Sequence, residues 1–258
     1  MKIAQIKVKI ISNKNLIGNY WHLEFISEAI ARYACPGQFV SIKVNDKLEP
    51  LLRRPISIHG LEGSKIKLVY EVLGQGSQIL STRKIGELLD IIGPLGNGFN
   101  YKKQIKLAQT KNILIAGGMG VAPLVFLAQE LKLSKPLVLI GARTKNDILC
   151  VKEFKKLNSQ VKLATDDGSI GFKGQVTDLL KVVLGQINST TLFSCGPRPM
   201  LKAVSEIARE NKINAQLSLE EHMACGIGAC LGCVVSTKAG YKRVCQDGPI
   251  FSSEELIW

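Results

Sequence analysis

Several features are scarce in this chain of 258 residues, and each scarcity closes off a class of function. No apolar run reaches the roughly 20 residues that cross a bilayer; the longest, such as "NILIA" and "PLVLIGA", are strand-sized. The opening "MKIAQIKVKIISN" lacks an apolar signal core and a small-residue cleavage site. A cytoplasmic location is the default expectation, and there cysteines stay reduced. No basic run carries interleaved aromatics, so the formal net charge of +13 reads as lysine spread over a solvated surface. Neither nucleic acid nor a membrane is therefore expected as a partner. Internal repeats and low-complexity runs are also missing. Cysteine is sparse at seven residues, which makes its distribution informative.

Four of the seven fall in "EEHMACGIGACLGCVVSTKAGYKRVCQDGP", which begins at Glu220: Cys225, Cys230, Cys233 and Cys245. Their spacing is C-x4-C-x2-C-x11-C. The first three match plant-type [2Fe–2S] ligands, with a fourth arriving from further along. Two irons each need two thiolates, so one loop wraps the cluster and a separate segment closes it. Gly226, Gly228 and Gly232 stand among the ligands, where backbone must turn sharply and bring N–H groups to sulfur. Structural zinc also takes four cysteines, but it usually arrives as two short pairs. His222 precedes Cys225 with no second histidine nearby, so a Rieske centre is excluded and His222 reads as a bystander. Cys35 and Cys150 read as ordinary buried thiols.

Hydrophobic residues make up 46%, ordinary for a folded protein with room for two domains. Up to about residue 100, short apolar pieces recur between Gly, Asn, Asp and Pro: "KVKII", "WHLEFI", "QFVSIKV", "PISIHG", "KIKLVYEVL" and "ELLDIIG". Ile6, Val8 and Ile10 alternate with Lys7 and Lys9, as in a strand with one wet face. This spacing predicts an antiparallel β-barrel. After "GPLGNGFN" the texture becomes strand, helix, strand, helix, the pattern of a parallel α/β sheet. The expected division is a barrel over 1–103, an α/β nucleotide-binding domain over 104–214 and a [2Fe–2S] segment over 215–258.

In "ILIAGGMGVAPL", Gly117, Gly118 and Gly120 lie between a buried strand and a helix. They let backbone approach a pyrophosphate, beside free N–H groups and the positive helix end. A tight strand-to-helix turn without a ligand is the alternative. "FSCGPRPML" stands at the carboxyl end of a late strand, so Cys195 and Gly196 are placed to face a nicotinamide ring. "LLRRPISIHG" offers arginines for a phosphate pair and a serine for a ring. "EVLGQGS" adds small-residue turns at Gly74, Gly76 and Ser77. Each alone fits an exposed hairpin; together, ahead of an α/β domain, they suggest a flavin site.

The order of these motifs resembles the ferredoxin–NADP reductase superfamily over nearly the whole chain. Within it, "RRPIS", "GGMGVAPL", "TDDGS", "CGPRPML" and "MACGIGACLGC…VCQDGPIF" resemble the electron-transfer subunit of NAD-dependent, two-subunit dihydroorotate dehydrogenase. That resemblance implies FAD held by Arg54, Pro55, Ile56, Ser57, Tyr70, Glu71, Val72, Gly76 and Ser77, with a cluster on the four cysteines. It implies NAD(H) as substrate, NADH being preferred over NADPH. It also implies a separate FMN-containing catalytic subunit that makes orotate from dihydroorotate in pyrimidine biosynthesis, in an assembly with two copies of each subunit. Barrel, α/β domain and cluster segment use all 258 residues, leaving no length for a catalytic TIM barrel of about 250 more. Hydride transfer needs no acid–base side chain, so no catalytic residue is assigned. A plant-type cluster lies near roughly −400 mV, and hydrogen bonds here are expected to raise it toward the flavin. Two alternatives stay open: the flavin subunit of a ferredoxin:NADP oxidoreductase or sulfide dehydrogenase type complex, whose cluster loop lacks a counterpart of Cys225, and a zinc-stabilised nucleotide-binding module.

Overall fold

The computed structural model describes residues 3–102, 111–187 and 190–258. Six antiparallel strands come first: β1 (Ala4–Ile17), β2 (Tyr20–Ile26), β3 (Phe39–Lys43), β4 (Arg54–Glu62), β5 (Lys65–Glu71) and β6 (Leu88–Leu95). They close into a barrel in the order β1-β2-β5-β4-β3-β6. Period-two alternation drives the closure. On β1, Val8 and Ile10 are buried and Lys7 and Lys9 exposed; on β4, Ile56 and Ile58 turn into the barrel core. The six apolar pieces picked out in the sequence are these six strands. A short helix α1 (Glu28–Ala31), capped by Ser27 Oγ accepting from the Ile30 N–H, covers one end of the barrel. A second helix, α2 (Gln75–Thr82), follows β5 where the sequence had suggested only turns.

The second half is a seven-stranded sheet in the order β10-β9-β8-β7-β11-β12-β15. Its strands are β7 (Lys111–Gly117), β8 (Leu137–Ala142), β9 (Gln160–Thr165), β10 (Phe172–Lys173), β11 (Thr190–Cys195), β12 (Asn214–Ser218) and β15 (Ile250–Ser252). All neighbours pair in parallel except β12 with β15. Helices α3 (Val121–Glu130), α4 (Val151–Lys156), α5 (Val176–Leu184) and α6 (Arg198–Glu210) cover the two faces. Alternate residues of β7 feed opposite cores: Ile113 and Ile115 face α5 and α6, and Leu114 and Ala116 face α3. The strand order reverses on either side of β7, so the gap between the carboxyl ends of β7 and β11 is the switch point at which open α/β sheets bind ligands.

Between β12 and β15 the chain makes a long excursion carrying the hairpin β13 (Val234–Thr237) and β14 (Gly240–Arg243). Cys233, Val235, Val244 and Cys245 join the same apolar cluster as one face of the large sheet. Asn97, just past β6, donates from its backbone N–H to Gly248 O and from Nδ2 to the carbonyls of Gln246 and Asp247, tying the excursion to the barrel as well. The expected boundary at 103/104 lies outside the described residues, and the one at 214/215 falls at the first residue of β12.

Candidate functional site

One open cleft of about 1480 Å³ runs between barrel and sheet and reaches the cysteine segment. An ordinary single-ligand pocket holds roughly 300–1,000 Å³, so this cleft has room for more than one nucleotide.

The barrel wall is built on β4. Arg54, Pro55, Ile56 and Ser57 all line the cleft, as do Arg53 and Leu52. The two arginines are not equivalent. Arg53 is committed: its Nη2 pairs with Asp90 Oδ1 at 2.8 Å and its Nη1 donates to Asp90 O at 3.0 Å. Arg54 donates to Leu52 O and lies across the first turn of α2, where a Cβ on Gly76 would run into its guanidinium. A cation beside free helix N–H groups is a receptor for phosphate. Gly76 and Ser77 line the cleft at this helix start. Ser77 Oγ serves the turn itself, accepting from the N–H groups of Leu73 at 3.0 Å and Gly74 at 3.2 Å.

On β5, Val69, Tyr70 and Glu71 line the cleft, and Val72 packs against the barrel core instead. The Tyr70 hydroxyl donates to Asn13 Oδ1 at 3.0 Å, and burial pushes its pKa well above the ordinary tyrosine value. Burial raises the Glu71 carboxyl, and the nearby Asp147 carboxylate adds to the rise while Arg143 opposes it.

Gly117, Gly118 and Gly120 line the sheet wall of the cleft, with Cys195 and Gly196 beside them. Close approach explains two of the glycines. A Cβ on Gly120 would strike the Cys195 carbonyl and the Gly196 amide, and one on Gly117 would strike Met200 and Pro197. The two loops therefore interlock at the switch point. Met200, also in the cleft, seals this junction; "CGPRPM" had pointed to Cys195 and Gly196 only. Burial pushes the Cys195 thiol up to about 12, so it stands neutral beside the site. Arg143, at the end of β8, lines the cleft, and Lys145 beyond it does not.

Met223, Ala224 and Gly232 carry the cleft into the cysteine loop. The sulfurs act on one another: Cys230 on Cys225, and Cys233 and Cys225 on Cys245. Cys230 is exposed, Cys225 half-buried, and Cys233 and Cys245 buried. Backbone N–H groups aim at sulfur: Ile227 to Cys225 at 3.5 Å, Gly228 to Cys245 at 3.1 Å and Cys245 to Cys233 at 3.4 Å. Gly226 and Gly228 hold φ of +69° and +84°, the left-handed region that the tight wrap requires. Burial opposes ionisation of Cys225, but the N–H groups of Ile227, Cys230 and Ala229 and the Cys230 side chain bring its pKa down to about 6. Burial, then the neighbouring Cys233 and Cys225, push Cys245 up to about 12. Four neighbouring sulfurs with backbone amides aimed at them fit a group that brings positive charge to all four. An [Fe₂S₂] unit with two thiolates per iron does so. His222 is exposed at the cleft rim. Cys35 and Cys150 are only half-buried, short of the full burial expected of them.

Residues 220–257 match the iron–sulfur cluster binding domain of dihydroorotate dehydrogenase B, and residues 114–206 match the oxidoreductase NAD-binding domain. A relative from Desulforamulus reducens, named dihydroorotate dehydrogenase B (NAD(+)), electron transfer subunit, is 41% identical, covering 97% of both chains. One of the same name from Caldanaerobacter subterraneus is 38% identical, covering 98% of this chain and 99% of its own. Among solved structures, one of an NADH-dependent reduced ferredoxin-NADP oxidoreductase superposes with a TM-score of 0.85 at 29% identity, over 97% of this chain and 90% of that one. Ferredoxin-NADP+ reductase from Plasmodium falciparum shares the fold at a TM-score of 0.66 and 18% identity, over 81% of this chain and 93% of its own. With matches of this extent at both the sequence and the fold level, the chain belongs to the family of dihydroorotate dehydrogenase B electron transfer subunits.

Proposed function

We propose that this chain relays electrons between NAD(H), FAD in the cleft and a [2Fe–2S] cluster on Cys225, Cys230, Cys233 and Cys245, to or from a separate catalytic subunit that converts dihydroorotate to orotate. One observation carries the reading: the loop holding the four sulfurs also forms one end of the nucleotide cleft, through Met223, Ala224 and Gly232. Bound FAD supplies the conversion between hydride chemistry and single-electron steps.

The residues divide the labour. Arg54 and the first turn of α2 take the FAD pyrophosphate; Pro55, Ile56 and Ser57 flank the flavin, with Tyr70 and Glu71 beside it. Gly117, Gly118 and Gly120 let backbone approach the NADH pyrophosphate, and Cys195 and Gly196 border the nicotinamide. Arg143 and Asp147 both line the cleft and act on Glu71 with opposite sign; a carboxylate at this end of the site suits a ribose hydroxyl, and we assign NADH as the donor.

The outer pair, Cys225 and Cys230, marks where electrons cross between the two subunits. Ile227 and Leu231, 47% and 61% exposed, flank Cys230 with apolar surface suited to a docked protein. We assign that protein as the FMN-containing catalytic subunit, in an assembly with two copies of each chain. No helix among the described residues is long and apolar enough to cross a membrane. Thiolate ligands and an NADH donor both belong to the reducing cytoplasm, where we place the chain.

The test is to mix this chain with the catalytic subunit and follow orotate formed from dihydroorotate with NAD+. Orotate should appear with both proteins present and with neither alone. A second reading, the flavin subunit of a ferredoxin-linked oxidoreductase, is favoured by the superposition at 0.85. Failure of orotate to appear, with ferredoxin reduced instead, would select it.

A further inference from the structure

Only three histidines occur in the chain, and two of them, His22 and His59, meet edge-on with ring centres 6.1 Å apart, neither of them lining the cleft. His59 is 3% exposed and both of its nitrogens are used across the barrel–sheet boundary. Nδ1 lies 2.8 Å from Ala122 O in the first turn of α3. A carbonyl only accepts, so Nδ1 carries a proton and donates it. Nε2 lies 2.7 Å from Glu153 Oε2 on α4.

The placement of these bonds matters. His59 lies at a bulge of β4, where the register shifts between Ile58 and Gly60, and its contacts with Ala122 and Glu153 show that its ring faces away from the barrel core toward the sheet. At its Nδ1 contact, Ala122 comes two residues after the Gly118–Gly120 turn and lines the cleft with Pro123. One strand thus carries the flavin-side residues and grips the helix that follows the nucleotide-side loop. Between them the contact is apolar: Phe126 of α3 is buried in the barrel's own core. Apolar burial is non-directional and leaves a helix free to slide or roll. Directional bonds stand at both ends of α3: His59 to Ala122 at the start, and Gln129 Nε2 to Leu61 O, 2.8 Å, seven residues on. At 1.5 Å per residue these anchors lie about 10 Å apart along the helix, enough to fix both register and tilt.

We propose that His59 is a positioning residue for hydride transfer: through its Nδ1–H bond to Ala122 it sets the glycine loop of the sheet domain against the flavin-binding strand of the barrel. Glu153 holds the ring in that orientation. This rests on the NADH–flavin reading of the cleft. A competing occupant is a metal ion, because the ligating atoms of His59, Cys150 and Glu153 lie within 4.8 Å of one another.

Three variants of the full chain, loaded with FAD and cluster, separate these possibilities. In His59→Asn the amide nitrogen stands where Nδ1 stood and keeps the Ala122 bond; in His59→Gln it stands where Nε2 stood and keeps only the Glu153 bond; His59→Ala keeps neither. Flavin reduction by saturating NADH is followed by stopped flow, together with the long-wavelength absorbance of the stacked nicotinamide–flavin pair. Amide exchange is measured over residues 117–130. Misplacement by about 1 Å costs up to roughly a hundredfold in rate, so Ala and Gln should slow reduction about tenfold or more at unchanged NADH affinity and FAD content, with weaker long-wavelength absorbance. They should also exchange faster in the first turn of α3. His59→Asn should restore all three readouts. Equal rates in all three variants and wild type overturn the proposal, as does equal loss in all three. Stoichiometric zinc in wild type that is lost in every variant assigns the site to a metal instead. If wild-type flavin is not reduced by NADH, the reading of the cleft fails; the exchange data still decide whether His59 holds α3, and unchanged exchange there in His59→Ala overturns its positioning role.

Discussion

Replacing Arg54 with alanine should cost FAD far more than replacing Arg53, although the two are adjacent and both line the cleft. Arg53 spends its guanidinium on Asp90, at 2.8 Å to the carboxylate and 3.0 Å to the carbonyl. Arg54 lies over the α2 N-terminus and, among the described residues, donates to the Leu52 carbonyl alone, leaving other donors for phosphate. A hydrogen bond to a charged group is worth roughly 1.5–3 kcal/mol, and a bidentate contact makes two. Arg54 is half-buried, so solvent screening favours the lower end of the range. Two bonds at about 1.5 kcal/mol give about 3 kcal/mol, or about a hundredfold in FAD dissociation constant at 1.4 kcal/mol per decade. Arg53→Ala should instead lower the melting temperature through loss of the β4–β6 tie and leave FAD affinity within about threefold, below 1 kcal/mol. Fluorescence titration of apoprotein with FAD, alongside thermal melts, measures both. An Arg54→Ala protein with unchanged FAD affinity, or a larger loss in Arg53→Ala, would refute the assignment.

Other expected outcomes follow from the same geometry. Purified chain should contain about two iron and two acid-labile sulfide per polypeptide, and Cys245→Ser should lose the visible cluster absorbance; stoichiometric zinc would count against the cluster. With a dye acceptor, kcat/KM should favour NADH over NADPH, and Arg143→Ala should leave that preference in place; a clear NADPH preference would reverse the reading of this end of the cleft. Gly120→Ala should destabilise by about 1–3 kcal/mol, since the new methyl meets the Cys195–Gly196 backbone; a melt equal to wild type would show that the loops do not interlock. Burial raises the Glu153 carboxyl, but His59, then His22 and Lys67, outweigh it and hold the pKa below the ordinary 4.5. A depressed acid contributes stability that is full above its unfolded value and is lost as pH falls through the lower folded value. The stability gap between wild type and Glu153→Gln should thus be constant at neutral pH and shrink only below about pH 4.5; a gap that grows on acidification would contradict the pairing.

Much of this fold was legible because its signals are local. Strand alternation needs no tertiary information, so all six barrel strands and the β-α alternation could be read directly, as could the cysteine spacing. What was missed depends on how neighbours meet. Residues 74–77 look like turns because a helix N-terminus and a turn use the same small residues; only the return of "QILST" onto the barrel makes a helix of them. At the end of β5 the resemblance gave Tyr70, Glu71 and Val72 to FAD; Tyr70 and Glu71 line the cleft together with Val69, and Val72 does not. A displacement of one residue along a strand exchanges one face for the other, and the sequence gives no marker for it. Met200 escaped notice because its contacts, Gly117 and Gly196, belong to two loops that approach only in the folded sheet.

The pairing of β12 with β15 has an engineering consequence. Ser218 stands opposite Ile250, so everything from Leu219 to Pro249 leaves and rejoins the sheet at neighbouring positions. Topologically the iron–sulfur segment is a cassette spliced into the loop of a hairpin. Excising 219–249 and bridging the stumps with a tight turn would leave strands β4, β7 and β11 uncut, but would uncover the sheet face now packed against Val235 and Val244, which would need polar replacements. The truncated chain would be a two-cofactor NADH oxidase module. Other redox segments whose ends lie a strand spacing apart could be transplanted into the same gap, giving one flavin platform several electrical outlets.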